Sequence, residues 1–328
     1  MIIVRSLIKV SKQISDSVKG IMWGLALGDA LGKPVEFKHL WRIKQDYGPN
    51  GITKLPINPT WTDDTELTFA VARALMITHN LSVEEITTQI AEEFIAWFDN
   101  TGHSPGGTCI RGTLKYKDTR NWKESGIKAS KGCGSAIRVA PIGLFFSDSN
   151  VLSKAAYNSS LITHAHPTGL AAAVGAAYLV RLALNGDTVE NWPEKVKSIV
   201  DFVEEPGKTE FCNAIDTAVR ALDLDDTEEA IKSIGDGWIG EEAVAIALYC
   251  CLKYPEADDF KNLLILSVNH GGDSDSTGCI AGGIMGARHG FTALGSEMHD
   301  WAARLRERER MESIIEKIIV AMQNKKNE

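Results

Sequence analysis

Pro167-Thr168-Gly169-Leu170-Ala171-Ala172-Ala173-Val174-Gly175-Ala176-Ala177-Tyr178-Leu179-Val180-Arg181-Leu182-Ala183-Leu184-Asn185-Gly186 carries the clearest structural signal in the chain. A proline at the front suits a first helical turn, where no N–H is needed. Asn185-Gly186 suits the end, where the backbone turns left-handed. Alanine and leucine dominate between them, and the alternation of a half-buried strand is missing. The apolar run from Gly169 to Leu184 is interrupted by Tyr178 and Arg181. It is too short and too rich in small residues for a membrane span, so it reads as a core helix.

The same helical period extends outward in both directions. Ser82-Val83-Glu84-Glu85 has the form of a capping box and predicts a helix running toward Trp97 and Phe98. Further helices are expected at Pro193–Val203, Glu210–Leu222, Glu241–Leu252 and Asp259–Val268, with a long last one from about Ser296 to Gln323. Loops are expected at Tyr47–Trp61, Thr101–Lys131 and from Asp273 onward. No repeat or linker divides the chain. The expectation is a single compact all-α, multi-helix domain over residues 16–328, with its functional residues on loops and helix starts. Residues 1–15 form a β-branched, basic leader carrying Arg5, Lys9 and Lys12, ahead of a helix expected to start near Asp16. The leader reads either as a terminal strand or helix packed on the core, or as an arm that engages a partner.

At 328 residues the chain can bury a large core. Its 35 Lys and Arg against 43 Asp and Glu give a net charge of −8. That balance argues against general nucleic-acid binding, which needs a basic surface. No small-residue cleavage site follows the apolar start, so no signal peptide is expected. Cys109, Cys133, Cys212, Cys250, Cys251 and Cys279 are scattered, with no C-x-x-C. They read as buried free thiols in a reducing cytoplasm, without a zinc site.

Two acidic clusters carry the chemistry. Thr62-Asp63-Asp64-Thr65 and Asp273-Ser274-Asp275-Ser276-Thr277 each set carboxylates and hydroxyls beside an apolar helical run. Helix capping would use such residues, but one cap per helix leaves acids to spare at each end. Together they offer the oxygen ligands that a hard divalent cation takes. Glu36 follows a glycine-rich helix within an apolar frame of Val35 and Phe37, and reads as either a solvated charge or a site acid. Asp29 reads as structural, bonding neighbouring backbone. Gly132-Cys133-Gly134-Ser135 precedes Arg138 in a loop whose N–H groups can face a phosphate. Arg138 itself suits either a phosphate or buried bracing. No base is paired in sequence with Cys133, which argues against a nucleophile.

Five segments in order resemble the ADP-ribosylglycohydrolase family. They are Gly24-Leu25-Ala26-Leu27-Gly28-Asp29-Ala30-Leu31-Gly32 with Pro34-Val35-Glu36-Phe37; Trp61-Thr62-Asp63-Asp64-Thr65; Gly132-Cys133-Gly134-Ser135-Ala136-Ile137-Arg138 with Ala140-Pro141; Thr163-His164-Ala165-His166; and Gly271-Gly272-Asp273-Ser274-Asp275-Ser276-Thr277. The resemblance runs from about Val18 to about Gly290. It implies an all-α fold with a central di-metal cleft. Two Mg²⁺ ions, replaceable by Mn²⁺, would be held by Thr62, Asp63, Asp64, Asp273, Asp275 and Ser276, with Thr277 as a stand-in for Ser276, where relatives carry Thr. Glu36, Asp63 and Asp64 are the implied catalytic residues, orienting the attacking water, and no residue is assigned as the acid that protonates the leaving group. Gly132, Gly134, Ser135 and His164 are implied to hold the diphosphate and distal ribose, with Trp238 near the adenine.

The implied activity is removal of ADP-ribose from modified protein side chains, the arginine linkage first. ADP-ribose is then the product ligand, and a cognate ADP-ribosyltransferase is a candidate partner of the leader. No nucleic acid or membrane is expected. One departure concerns the linkage: Arg-directed relatives carry an Asp before a glycine where this chain has Ser104, with Asp99 nearby. A two-metal phosphohydrolase and a non-catalytic member of the same fold remain the competing readings.

Overall fold

A computed structural model describes residues 2–77, 81–100 and 106–327. Among these are seventeen α-helices, five short 3-10 turns and no strand, in one domain. The all-α expectation therefore stands.

Two helices form its axis, Ile2–Gly32 and Ser274–His289, with the Gly20–Gly32 part of the first packed antiparallel on the second. Their contact is made of glycine. Gly20, Gly24, Gly28 and Gly32 recur every fourth residue, which puts them on one helix face, and they meet Gly278, Gly282, Gly286 and Gly290. A side-chain carbon on Gly24 would lie 2.2 Å from the Gly282 carbonyl oxygen, and one on Gly28 would lie 2.0 Å from that of Gly278. No other residue permits this approach. At the far end, Gly32 abuts the Asp275 backbone, where an added carbon would be 2.5 Å from the amide nitrogen. Everything that follows Gly32 is thereby set against the start of the partner helix.

Pro167–Asn185 is the core helix that its sequence predicts. It is long and apolar enough to cross a membrane, yet 78% of that window is buried inside the protein. Gly186 ends it at φ +73°, and the His166 ring accepts the Thr168 N–H at its start. Its neighbours include the helices Ser149–Leu161, Gly207–Arg220, Gly240–Lys253 and Ser274–His289. The capping box forms as written: Ser82 N–H donates to Glu85 Oε2 at 2.8 Å, and Glu85 N–H to Ser82 Oγ at 3.3 Å, ahead of Val83–Asn100.

Several boundaries differ from expectation. The first helix begins at Ile2 rather than near Asp16, so its backbone runs through the leader without a break at residue 15. The side chains of Arg5, Lys9 and Lys12 lie outside the described residues. The loop expected at Thr101–Lys131 contains the helices Gly107–Thr119 and Trp122–Ser125. The first of these is largely polar and buries only a narrow face of Cys109, Gly112, Thr113 and Tyr116. Pro193–Val203 shortens to Trp192–Ile199. The last helix is two, Gly295–Arg304 and Arg308–Asn327. Between them Leu305 turns extended to bury its side chain, and Arg306 N–H donates to the Pro59 carbonyl at 3.0 Å.

Two adjacent glycines separate close packing from helix propensity. Gly282→Ala should destabilise the protein by about 1–3 kcal/mol through overpacking, because its new carbon would meet the Gly24 carbonyl at 2.1 Å. Gly283→Ala, whose carbon meets Leu25 Cβ at 3.4 Å and Ala140 Cβ at 3.9 Å, should be neutral or more stable by up to about 1 kcal/mol. Urea unfolding of both variants checks this; equal effects would refute the close-packed axis.

Candidate functional site

The axis opens onto a cleft of about 760 Å³ at the end marked by Gly32. Asp29, one turn earlier, is fully buried and organises the first acidic cluster. Its carboxylate accepts Thr62 N–H at 2.9 Å, Thr65 N–H at 3.1 Å and Thr65 Oγ1–H at 2.6 Å. Burial pushes its pKa up to about 7 against the pull of those bonds. The structural reading of Asp29 is the one the geometry supports. Trp61 Nε1–H donates to Glu66 Oε1 at 2.9 Å, and Arg310 from the last helix pairs with the same carboxylate. Thus held, Thr62 caps the helix Asp63–Met76, and Thr62, Asp63 and Asp64 all line the cleft.

The second cluster begins the partner helix. Ser276 Oγ–H donates to Asp64 Oδ2 at 2.9 Å, joining the two clusters directly. Asp273 and Asp275 flank it, and Glu36 reaches in so that its carboxylate and theirs have oxygens within 4.8 Å of one another. Thr277 does not stand in for Ser276. Its hydroxyl is fully buried, donating to the Ser267 carbonyl at 2.6 Å and facing His270 Nε2 at 2.8 Å.

Charge is crowded here. Asp64, Asp273 and Asp275 are each more than nine-tenths buried, and none pairs with a basic side chain among the described residues. Lys33 lines the cleft, with its ammonium on the Trp61 carbonyl at 3.0 Å. Burial and then Asp275 raise the Asp64 pKa well above the carboxylate range; burial and then Asp273 do the same to Asp275. Burial, Asp273 and Asp63 push Glu36 to about 8. Such an oxygen-rich, under-neutralised cradle fits hard divalent cations, with Thr62, Asp63, Asp64, Asp273, Asp275 and Ser276 as the available donors.

The glycine loop forms the opposite wall. Gly132 pairs with Ile239, Cys133 N–H donates to the Trp238 carbonyl at 3.1 Å, and Gly240 N–H to that of Lys131 at 2.7 Å. Gly132 and Gly134 face His164, whose Nε2 would be 3.4 Å from a carbon added to either. His164 is buried and lines the cleft. Burial, Arg138 and Arg111 lower its pKa to about 3, so it is neutral. Arg138 donates to Thr163 Oγ1 at 2.7 Å, and that oxygen lies 2.8 Å from His164 Nδ1. With the Thr163 hydroxyl hydrogen directed at Nδ1, the neutral ring carries its own hydrogen on Nε2, toward the cleft.

Other assignments move. The Ser135 side chain is fully buried against the Gly169 carbonyl and does not line the cleft. Arg138 braces neither phosphate nor aspartate; its buried guanidinium holds the Ser159 carbonyl and Thr163 and lies 4.3 Å from the Phe94 ring centre. Asp99 pairs with Lys117 on the surface and does not line the cleft. Ser104 lies outside the described residues. Burial and then Asp273 push the Cys133 thiol well up, so in the metal-free cleft it stays a thiol and is no nucleophile.

Trp238 stands at the cleft mouth, stacked on Phe37 with centroids 5.1 Å apart and planes 3° apart. Phe37 is 68% exposed at φ +62°, so it belongs to the mouth rather than to an apolar frame. Lys33, Phe37 as a liner, and Gly106–Cys109 are the site residues that sequence reading missed. Gly106 N–H donates to Asp63 Oδ2 at 3.1 Å. The clearest available signal was Lys33, four residues after Asp29 and just past the helix end, where its N–H donates to the Asp29 carbonyl at 2.9 Å.

The family profile described as ADP-ribosylglycohydrolase matches residues 11–328. The ADP-ribosyl-[dinitrogen reductase] glycohydrolase of Rhodospirillum rubrum is 29% identical over 302 residues, covering 89% of this chain and 91% of its own. The ADP-ribosylarginine hydrolase Tri1 of Serratia proteamaculans is 25% identical, covering 92% and 79%. A solved structure titled ADP-ribosylglycohydrolase-related protein complex superposes with a TM-score of 0.72 at 23% identity, covering 95% of this chain and 99% of that one.

A metal-free preparation should lose stability as pH rises. The folded-state pKa of Glu36, about 8, lies above its ordinary 4.5. Between those values the folded state binds more protons than the unfolded one, so the slope of unfolding free energy with pH is negative. Saturating Mg²⁺ should flatten the slope and, at about a hundred times Kd, add about 2.7 kcal/mol. Asp275→Asn should raise the metal-free melting temperature by relieving repulsion, yet lose most of the Mg²⁺ gain. Thermal melts from pH 5 to 8 would contradict the cradle if Mg²⁺ changed nothing.

Proposed function

The chain belongs to the ADP-ribosylglycohydrolase family, and from that membership we propose that it is a Mg²⁺-dependent hydrolase releasing ADP-ribose from modified protein side chains, arginine-linked ones preferred. That it is a glycosyl hydrolase acting on protein-linked ADP-ribose follows from the family and from relatives named for that activity. The observation that carries the finer reading is the Ser276–Asp64 hydrogen bond, which joins the two acidic clusters inside a cleft walled by the glycine loop and His164. Its volume of about 760 Å³ suits a nucleotide-sugar ligand. The arginine preference rests on the relative named an ADP-ribosylarginine hydrolase and on the acidic lining, which favours a cationic guanidinium.

Thr62, Asp63, Asp64, Asp273, Asp275 and Ser276 would hold two cations, with Mn²⁺ an effective substitute for Mg²⁺. When bound, the cations supply Lewis acidity that grips vicinal ribose hydroxyls and acidifies water. The chain's own groups do the rest. Gly132, Gly134 and the Nε2–H of His164 receive the diphosphate and distal ribose, and Trp238 receives the adenine face. Asp63 and Asp64 orient the attacking water, a general-base contribution of about 10²–10⁴-fold. Glu36, half-buried and with its pKa pushed up to about 8, is the carboxyl suited to exchange a proton as the bond at the ribose anomeric carbon breaks. A two-metal phosphohydrolase gains little support: Lys33 is the one Lys or Arg among the described liners, and the Trp61 carbonyl already takes it.

Two further proposals extend this reading. The enzyme acts in the cytoplasm, in keeping with six free cysteines. The leader 1–15 engages a cognate ADP-ribosyltransferase. Deleting residues 2–15 should then leave the melting temperature and small-substrate turnover unchanged while abolishing capture of that partner; a lower melting temperature would favour simple packing.

Arginine-, serine- and O-acetyl-linked ADP-ribose, each incubated with Mg²⁺ or EDTA, test the function. Free ADP-ribose should appear from the arginine conjugate in Mg²⁺ only, and Asp64→Asn should cost at least about 10²-fold in kcat. Release of phosphate without ADP-ribose, or full activity in EDTA, would overturn the proposal.

A further inference from the structure

Cys133 borders the carboxylate cradle on the side of Asp273 and Ser276. Its Sγ lies 3.0 Å from Asp273 Oδ2 and 3.6 Å from Ser276 Oγ. It is more than nine-tenths buried and lines the same cleft as Glu36, Asp64 and Asp275. A cation bonded to sulfur at about 2.3 Å and to oxygen at about 2.1 Å sets those atoms about 3.1 Å apart at a right angle and about 3.6 Å apart at the tetrahedral angle. The thiol hydrogen-bonds to Asp273 Oδ2 and Ser276 Oγ, and the same two separations match the edges of such a site. Asp64 and Asp275 line the same cleft, deeply buried and without a basic partner among the described residues.

We propose that Cys133 gives the cradle a soft donor, so that it takes a thiophilic divalent cation such as Zn²⁺ or Cd²⁺, held by the Cys133 sulfur with Asp273 and Ser276 oxygens, in competition with Mg²⁺. The inference rests on the metal-centre reading of the acidic clusters. On binding, the S–H bond of Cys133 breaks heterolytically, its electron pair goes to the cation, and the proton leaves to solvent. A cation so held occupies oxygens that Mg²⁺ needs, so trace Zn²⁺ inhibits Mg²⁺-supported turnover.

Cd²⁺ titration of the full-length, metal-free protein, followed by ultraviolet absorption and calorimetry, tests this. Wild type should develop a saturable sulfur-to-cadmium charge-transfer band. Cys133→Ser should lose the band while keeping its Mg²⁺-dependent rise in melting temperature; Cys133→Asn serves the same purpose if the serine form fails to fold. Cys109→Ser should keep the band, because Cys109 Sγ faces the Gly134 carbonyl and Arg138. Cys212→Ser should also keep it, which excludes the one cysteine that is only partly buried. A band that survives in Cys133→Ser, or Cd²⁺ uptake by wild type without a band, overturns the inference and leaves the metal centre standing. Wild type that takes up neither Mg²⁺ nor Cd²⁺ removes both.

Discussion

The close approach of two glycine-faced helices is the constraint from which the site follows. Glycine on every fourth residue from Gly20 to Gly32, facing Gly278, Gly282 and Gly286, lets backbone meet backbone. Helices packed through larger side chains sit about 8–10 Å apart. At ordinary spacing, Asp29 and the Thr62–Asp64 turn it holds would stand away from Asp273–Ser276, and the Ser276–Asp64 bond of 2.9 Å could not form. Gly32 against the Asp275 backbone is where the packing device becomes part of the site.

Around that axis the protein spends buried hydrogen bonds on holding like charges together. Asp29 clamps one acidic cluster from beneath. Arg310 and Trp61, through Glu66, hold it from the side. Thr277 and His270 fix the start of the second cluster. These contacts position the carboxylates but leave their repulsion in place; burial first, and that repulsion second, raise the pKa values of Asp64, Asp275 and Glu36. A cradle rigid enough to keep that repulsion is prepared for a cation, which relieves the repulsion on binding.

Signals local to the chain were legible in the sequence, and those that depend on a distant partner were not. The Ser82–Glu85 capping box and the Pro167 helix start are complete within a few residues, and both form as read. The two acidic clusters are equally local, and the fold brings them together. The break at Leu305 has no Gly or Pro to announce it, because its cause is the Pro59 carbonyl far away in sequence. Arg138 looked able to meet a phosphate; only tertiary structure shows that its guanidinium is enclosed by Phe94, Ser159 and Thr163. Ser135, next to two glycines that do reach the cleft, turns its side chain into the core. The glycine period of four was present in Gly24, Gly28 and Gly32, but it becomes meaningful only when matched against Gly278, Gly282 and Gly286.

The central claim is that one rigid, glycine-built axis creates a two-cation cradle. Anomalous diffraction from crystals grown with Mn²⁺ tests it most directly. The account predicts two anomalous peaks within bonding distance of Asp63, Asp64, Asp273, Asp275 and Ser276 oxygens, with the two helices unmoved. A cradle empty at saturating Mn²⁺, or peaks only at surface carboxylates, would contradict it.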